Sequence, residues 1–241
     1  MKFLKRLSVS RYYKYKSEVI KRNEIAIQTF LLVGTIVATV NMLSNVFIKA
    51  TNGYTGSLVL LIYFVVASIL RKPILKNHPN SSTVFLYIIQ IPIMIFGILM
   101  GTIFDKTSVT ITFFLLLICM PVFILDNPVR HLIYIVMLMA IYIAVAYVTK
   151  DSEIFMLDIV HALSFFMGSV FVNLFVLGER FDNIENYVSS EFRAKHDVIT
   201  GLKNRYALRI DVHNYVDKPV IAGIMDIDYF KFFKKGKEKL C

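Results

Sequence analysis

The sequence predicts a mainly α-helical membrane protein of six transmembrane helices, followed by a signalling helix and the N-terminal fragment of an α/β domain. Three observations point there. Of 241 residues, 56% are hydrophobic and 18% charged, where a soluble domain carries roughly a quarter charged. The apolar residues gather into six runs: Ile25 to Ile48, Tyr54 to Leu70, Val84 to Phe104, Val109 to Leu125, Leu132 to Val148 and Ile154 to Leu177. Each falls within the roughly 17–25 residues that cross a hydrocarbon core. The basic residues collect in alternate loops. Disorder is excluded by this composition, and two cysteines, Cys119 and Cys241, exclude a disulfide framework.

Residues 1–24 form a basic arm with eight Lys and Arg, interleaved with Tyr12, Tyr13 and Tyr15. Such a segment suits a juxtamembrane position on anionic lipid, and it accounts for much of the net charge of +10 without nucleic acid. Residues 25–177 carry the six spans, the first of them an uncleaved span rather than a signal peptide. The second loop holds Arg71, Lys72 and Lys76 and the fourth Arg130, whereas the first, third and fifth hold only Lys49, Lys106 and Lys150. Twelve more Lys and Arg follow Leu177. Positive charge on the inner side places both termini in the cytoplasm. Pro92 and Pro121 are expected to kink their helices, and Gly97 and Gly101 form a small-xxx-small pair for close packing. In the last span Asp158 and His161 stand three apart on one helical face, with Asn173 further along. One reading makes Asp158 and His161 an ionisable pair that senses a proton or ligand. The other lets Asp158 snorkel to the interface while His161 bonds a neighbouring helix.

Residues 178–195 continue the last span as a signalling helix. Leu174, Leu177, Phe181, Ile184 and Val188 alternate in steps of three and four, with Glu179, Arg180, Asp182 and Glu185 between them. This is an a/d seam. It is expected to pair with its copy as a homodimeric coiled coil, although a helix packing on its own chain would show the same pattern.

Residues 196–241 carry the most specific patterns. Thr200 and Gly201 break the incoming helix, and Asn204 is a candidate N-cap for a helix running to about Val216. Val220 to Ile227 reads as a buried strand ending in Asp226 and Asp228, which repel unless a cation lies between them. The segment from Asp197 to Arg205 resembles the D-x-L-T-G-L-x-N-R motif of GGDEF-domain diguanylate cyclases, with Ile199 replacing Leu, and the match spans Thr200, Gly201, Leu202 and Asn204. Asp226 to Lys231 resembles that family's D-I-D-x-F-K motif. The resemblance covers about a sixth of the chain, from Ala194 to Phe233. It implies a palm-like, ferredoxin-like α/β domain that condenses two GTP molecules to cyclic di-GMP in a bacterial cytoplasmic membrane. Carried over, it implies Mg²⁺ held by the Asp226 carboxylate and the Ile227 carbonyl, phosphate bound by the backbone at Tyr229 and Phe230 and by Lys231, and an Asp197–Arg205 pair.

The pattern then departs from the family. Lys234 and Lys235 stand where it has Asn-Asp, and the GGDEF loop is absent from the residues that follow. The expected function is therefore a membrane-bound sensor of the diguanylate cyclase family, inactive as this chain. The alternative is a non-catalytic membrane sensor or partner-binding protein with a relic cytoplasmic tail.

Overall fold

The computed structural model describes residues 7–48, 51–216, 218, 219 and 223. The chain divides into two compact units, Met1–Tyr187 and Val188–Cys241. In the first, a short helix α1 (Val9–Lys14) leads into α2 (Lys16–Ile48), α3 (Thr51–Asn77), a 3-10 turn (Pro79–Ser81) and α4 (Ser82–Thr102). Then come α5 (Thr112–Cys119), a second 3-10 turn (Pro121–Phe123), α6 (Pro128–Thr149) and α7 (Ser152–Lys195), whose last residues belong to the second unit.

Among the described residues five helices are long and apolar enough to cross a membrane: Lys16–Phe47, Gly56–Asn77, Ser82–Thr102, Pro128–Thr149 and Ser152–Lys195. Their outward faces are apolar, with Ile36 and Val40 of α2, Ile62 and Ile69 of α3, Ile133 of α6 and Val160 of α7 all exposed. Water would penalise so much uncovered apolar surface, whereas lipid matches it.

The expectation of six spanning helices is corrected at the fourth apolar run. Its helix α5 has eight residues, rising about 12 Å against a core of about 30 Å. The cause is Pro121, which lacks the N–H that would continue the ladder and is followed by a 3-10 turn and extended backbone at Ile124. The run still has fixed ends: Thr110 bonds Asp158 near the start of α7, and Leu125 bonds Asn23 near the start of α2.

The main core lies between these helices, with Leu86, Met94, Phe113, Leu117, Ile135 and Tyr142 fully buried. Gly97 lets α5 approach closely, since a Cβ there would meet the Phe113 Cα at 3.4 Å and collide with Leu116. At Gly101 a Cβ would collide with the Thr110 side chain. A second apolar cluster joins Tyr12, Tyr15 and Val19 to Leu125, Leu177, Phe181 and Ile184. The middle of the a/d seam is thus covered by the chain's own N-terminal arm. Arg11 fixes that arrangement, donating to Asp182 at 2.8 Å and Glu185 at 2.7 Å. Burial opposes its charge, but these two hydrogen bonds prevail and hold its guanidinium above the ordinary value.

In the second unit the end of α7 is followed by a turn and helix α8 (Arg205–Asp211), then a 3-10 turn (Val212–Asn214). The expected palm-like α/β fragment is overturned: among the described residues there is no β-strand, only an isolated bridge between His196 and Lys203. The described part of the motif forms a local turn. Asp197 folds its carboxylate back onto the N–H groups of Ile199 and Thr200, Gly201 takes φ +69°, and Ile199 remains 93% exposed instead of packing on a sheet. With the fold goes the diguanylate cyclase reading of the chain. The expected strand from Val220 to Ile227 falls outside the described residues except Gly223.

Candidate functional site

A break in an intramembrane helix strands backbone carbonyls where no water can reach them, and each is costly unless another group donates to it. The break after α5 is met from three other helices. Pro121 cannot donate to the Leu117 carbonyl, so Ser169 of α7 does so through Oγ at 2.7 Å. Asn173, one turn on, donates Nδ2 to the Ile118 carbonyl at 3.1 Å. Gln90 of α4 donates Nε2 to the Met120 carbonyl at 2.7 Å. Asn23 of α2 closes the stretch, donating to the Leu125 carbonyl at 2.8 Å and accepting its N–H at 3.1 Å. Pro92, inside α4, is treated alike: it leaves the Ile88 carbonyl without its partner, and the Tyr63 hydroxyl donates to Ile88 and Ile89 at 3.3 and 3.0 Å.

Not every polar atom at the break is used. The Gln90 Oε1, the Asn173 Oδ1, the Tyr134 hydroxyl and both ring nitrogens of His131 are buried without a hydrogen-bond partner. They come from three helices, α4, α6 and α7. Gln90 and Asn173 grip the same turn of the broken segment, Asn173 stands beside the His131 imidazole, and the Tyr134 ring packs edge-on against Tyr87 at 4.8 Å, one turn before Gln90. The two amide oxygens can only accept, while the hydroxyl and imidazole can donate or accept. A small polar guest would supply the missing donors.

A second polar centre lies where α6 ends and α7 begins. The side chains of Lys150 and Asp158 are 0% and 1% exposed and meet at 2.5 Å. The ammonium also donates to the Ser108 carbonyl at 2.8 Å and Thr110 Oγ1 at 2.9 Å, filling its three donor positions. Asp158 further accepts the Tyr142 hydroxyl at 2.7 Å and the Thr110 N–H at 2.9 Å. The Thr110 hydroxyl donates to the Gly101 carbonyl at 2.6 Å, which ties α4 to the same centre.

Of the residues singled out in the sequence, Asp158 is buried in this centre with Lys150, while His161, one turn along, is exposed. Asp197 is engaged within its own turn, Thr200 donates to it through both N–H and hydroxyl, and Asn204 caps α8 by accepting the Ala207 N–H at 3.0 Å. Gly201 and Leu202 complete that turn, both exposed, and Arg205 opens α8. The acid–base pair there joins Lys203 to Asp211 at 2.5 Å. Asp226, Ile227, Tyr229, Phe230 and Lys231, and with them the Mg²⁺ and GTP expectations, lie outside the described residues. Among the described residues no three His, Cys, Asp or Glu side chains converge as metal ligands do. Sequence reading missed Asn23, Gln90, Ser169 and Lys150. An isolated polar residue in an apolar run names no partner, although Lys150 and Asp158 at opposite ends of a tight inter-span turn are a legible pair.

No protein-family model matches the chain, and no curated protein or solved structure matches it. The resemblance of the tail to GGDEF domains therefore has neither a family match nor a fold behind it.

Proposed function

We propose that this protein is a non-catalytic membrane sensor or partner-binding protein, in which the polar interior around the broken helix is the input and the segment after α7 is the output. One observation carries the reading. The single unbroken helix α7 holds Asp158, Ser169 and Asn173 within the bundle, then continues past Tyr187 to Lys195. A guest that redirects Asn173 acts on a helix whose other end leads into the tail. The charge distribution of the loops supports cytoplasmic placement of both termini, which requires that the fourth run still cross the membrane as a broken span, its ends held by Asp158 and Asn23. A second copy would pair beyond the arm, where Tyr187, Val188 and Phe192 are exposed.

The test uses Val198→Cys, at a position 88% exposed, in a Cys119→Ser/Cys241→Ser background. Labelling by an impermeant maleimide is followed in membrane vesicles of both orientations. Asn173→Leu should change the labelling rate severalfold, and Val160→Ala, on an outward apolar face, should not. Labelling confined to inside-out vesicles supports the orientation. Equal rates in all three proteins would contradict the sensor reading.

A further inference from the structure

On the side of the bundle where the N-terminal arm packs, a pocket of about 250 Å³ is lined by Arg22, Asn23, Ile25, Ala26, Leu125 and Arg180. Two guanidiniums from helices distant in sequence share this small space, and Arg22 is the charged group that bears most directly on Arg180. Like charges placed together without an anion are unfavourable. Glu18, Asp182 and Glu185 do not resolve the conflict. Glu18 accepts from Arg22 Nε at 3.3 Å, leaving that guanidinium's other donors, and Arg22 also lies over the Tyr187 ring at 5.9 Å. Further along α7, Asp182 and Glu185 are bonded to Arg11. Among the described residues Arg180 has no hydrogen bond or ion pair. The Asn23 amide in the pocket wall is already spent on Thr83 and Leu125, so the guanidiniums provide the polar capacity for a guest.

We propose that this pocket is an anion site that takes a phosphate group between the guanidiniums of Arg22 and Arg180. Guanidinium forks match phosphate oxygens with paired hydrogen bonds, and one anion removes the repulsion between them. Ile25 and Ala26 line the membrane-ward wall of the pocket, so a phosphate there can carry an apolar tail along α2. An anionic phospholipid headgroup and free phosphate share this chemistry. The assignment is independent of the sensor reading.

The experiment uses the full chain in a non-ionic detergent and follows the thermal midpoint by the fraction remaining monodisperse. One arm adds inorganic phosphate against chloride at equal ionic strength. The other adds phosphatidylglycerol against phosphatidylcholine at equal mole fraction. At least one phosphate probe should raise the midpoint: lipid alone identifies a headgroup site, and a rise with inorganic phosphate identifies a site open to the soluble anion. Arg22→Gln/Arg180→Gln should abolish the rise and, by removing the repulsion, leave the anion-free protein as stable as the parent or more so. Arg180→Lys keeps the charge but loses the fork, and should raise the half-saturating concentration about tenfold. Lys16→Gln/Lys21→Gln removes two exposed arm charges outside the pocket and should leave the rise intact. No rise with either probe, or an equal rise in the double Arg variant, overturns the site. So does loss of the rise in the double Lys variant, which would assign the effect to diffuse surface charge.

Discussion

Lys150 and Asp158 illustrate how much a buried charge depends on its partner. Each is satisfied by the other together with Thr110, and Asp158 also by Tyr142. Replacing one partner leaves an uncompensated ion, at a cost of about 3–5 kcal/mol. Lys150→Met should therefore lower the midpoint of SDS-induced unfolding sharply, and Lys150→Met/Asp158→Leu should recover much of the loss. A double variant as unstable as the sum of its single variants would show that the two groups act separately. Gly101 belongs to the same centre: Gly101→Val should displace Thr110 and mimic part of the Lys150→Met loss. Outside the bundle, hydrogen bonds from Thr200, backbone then hydroxyl, hold the Asp197 carboxyl below its ordinary 3.8. Because the folded value is the lower one, the carboxylate supports the turn above 3.8, and that support is lost as pH falls through the folded value. Amide exchange at Thr200 and Gly201 should be slow near neutrality and accelerate, beyond the intrinsic pH trend, well below pH 3.8. Asp197→Asn should flatten that dependence. An unchanged pH profile in the variant would contradict this account of the turn.

At the scale of elements, the broken helix α5 sets the pattern of polar residues in its neighbours. Ser169→Ala removes the donor to the Leu117 carbonyl and should cost about 1 kcal/mol. Asn173→Leu should cost more, because its amide also serves the Ser169 carbonyl and hydroxyl. Pro121→Ala supplies a backbone N–H for the same carbonyl, so Ser169→Ala should cost less in that background. Additive costs in this cycle would mean that proline and serine do not share the Leu117 carbonyl. Apolar run length made the five long helices legible, because lipid contact needs only length and composition. The break at Pro121 was legible only as a kink: how a freed carbonyl is satisfied depends on residues about fifty positions away, such as Ser169 and Asn173. The seam of Leu177, Phe181 and Ile184 was legible as a buried stripe, but the identity of its cover, Tyr12 and Tyr15, is a property of the folded chain. In the tail, Asp197 to Arg205 resembles a catalytic-domain motif, yet those residues form a capped turn between helices that needs no sheet.

For the whole molecule, α7 is the element through which the polar interior could reach the tail. Its 44 residues correspond to about 66 Å of helix. The Asp158 lock holds it near its start, Ser169 and Asn173 hold it at the break, and Arg11 holds it where the arm packs. All three holds lie in the first unit, on a helix that continues past Tyr187, so a perturbation at Asn173 should be felt beyond the bundle. The most direct measurement is amide exchange along residues 160–204 of the full chain in lipid nanodiscs, wild type against Asn173→Leu. The account predicts altered protection that extends past Tyr187 and includes the turn at Asp197. Altered protection confined to the turns of α7 beside Asn173 would contradict it.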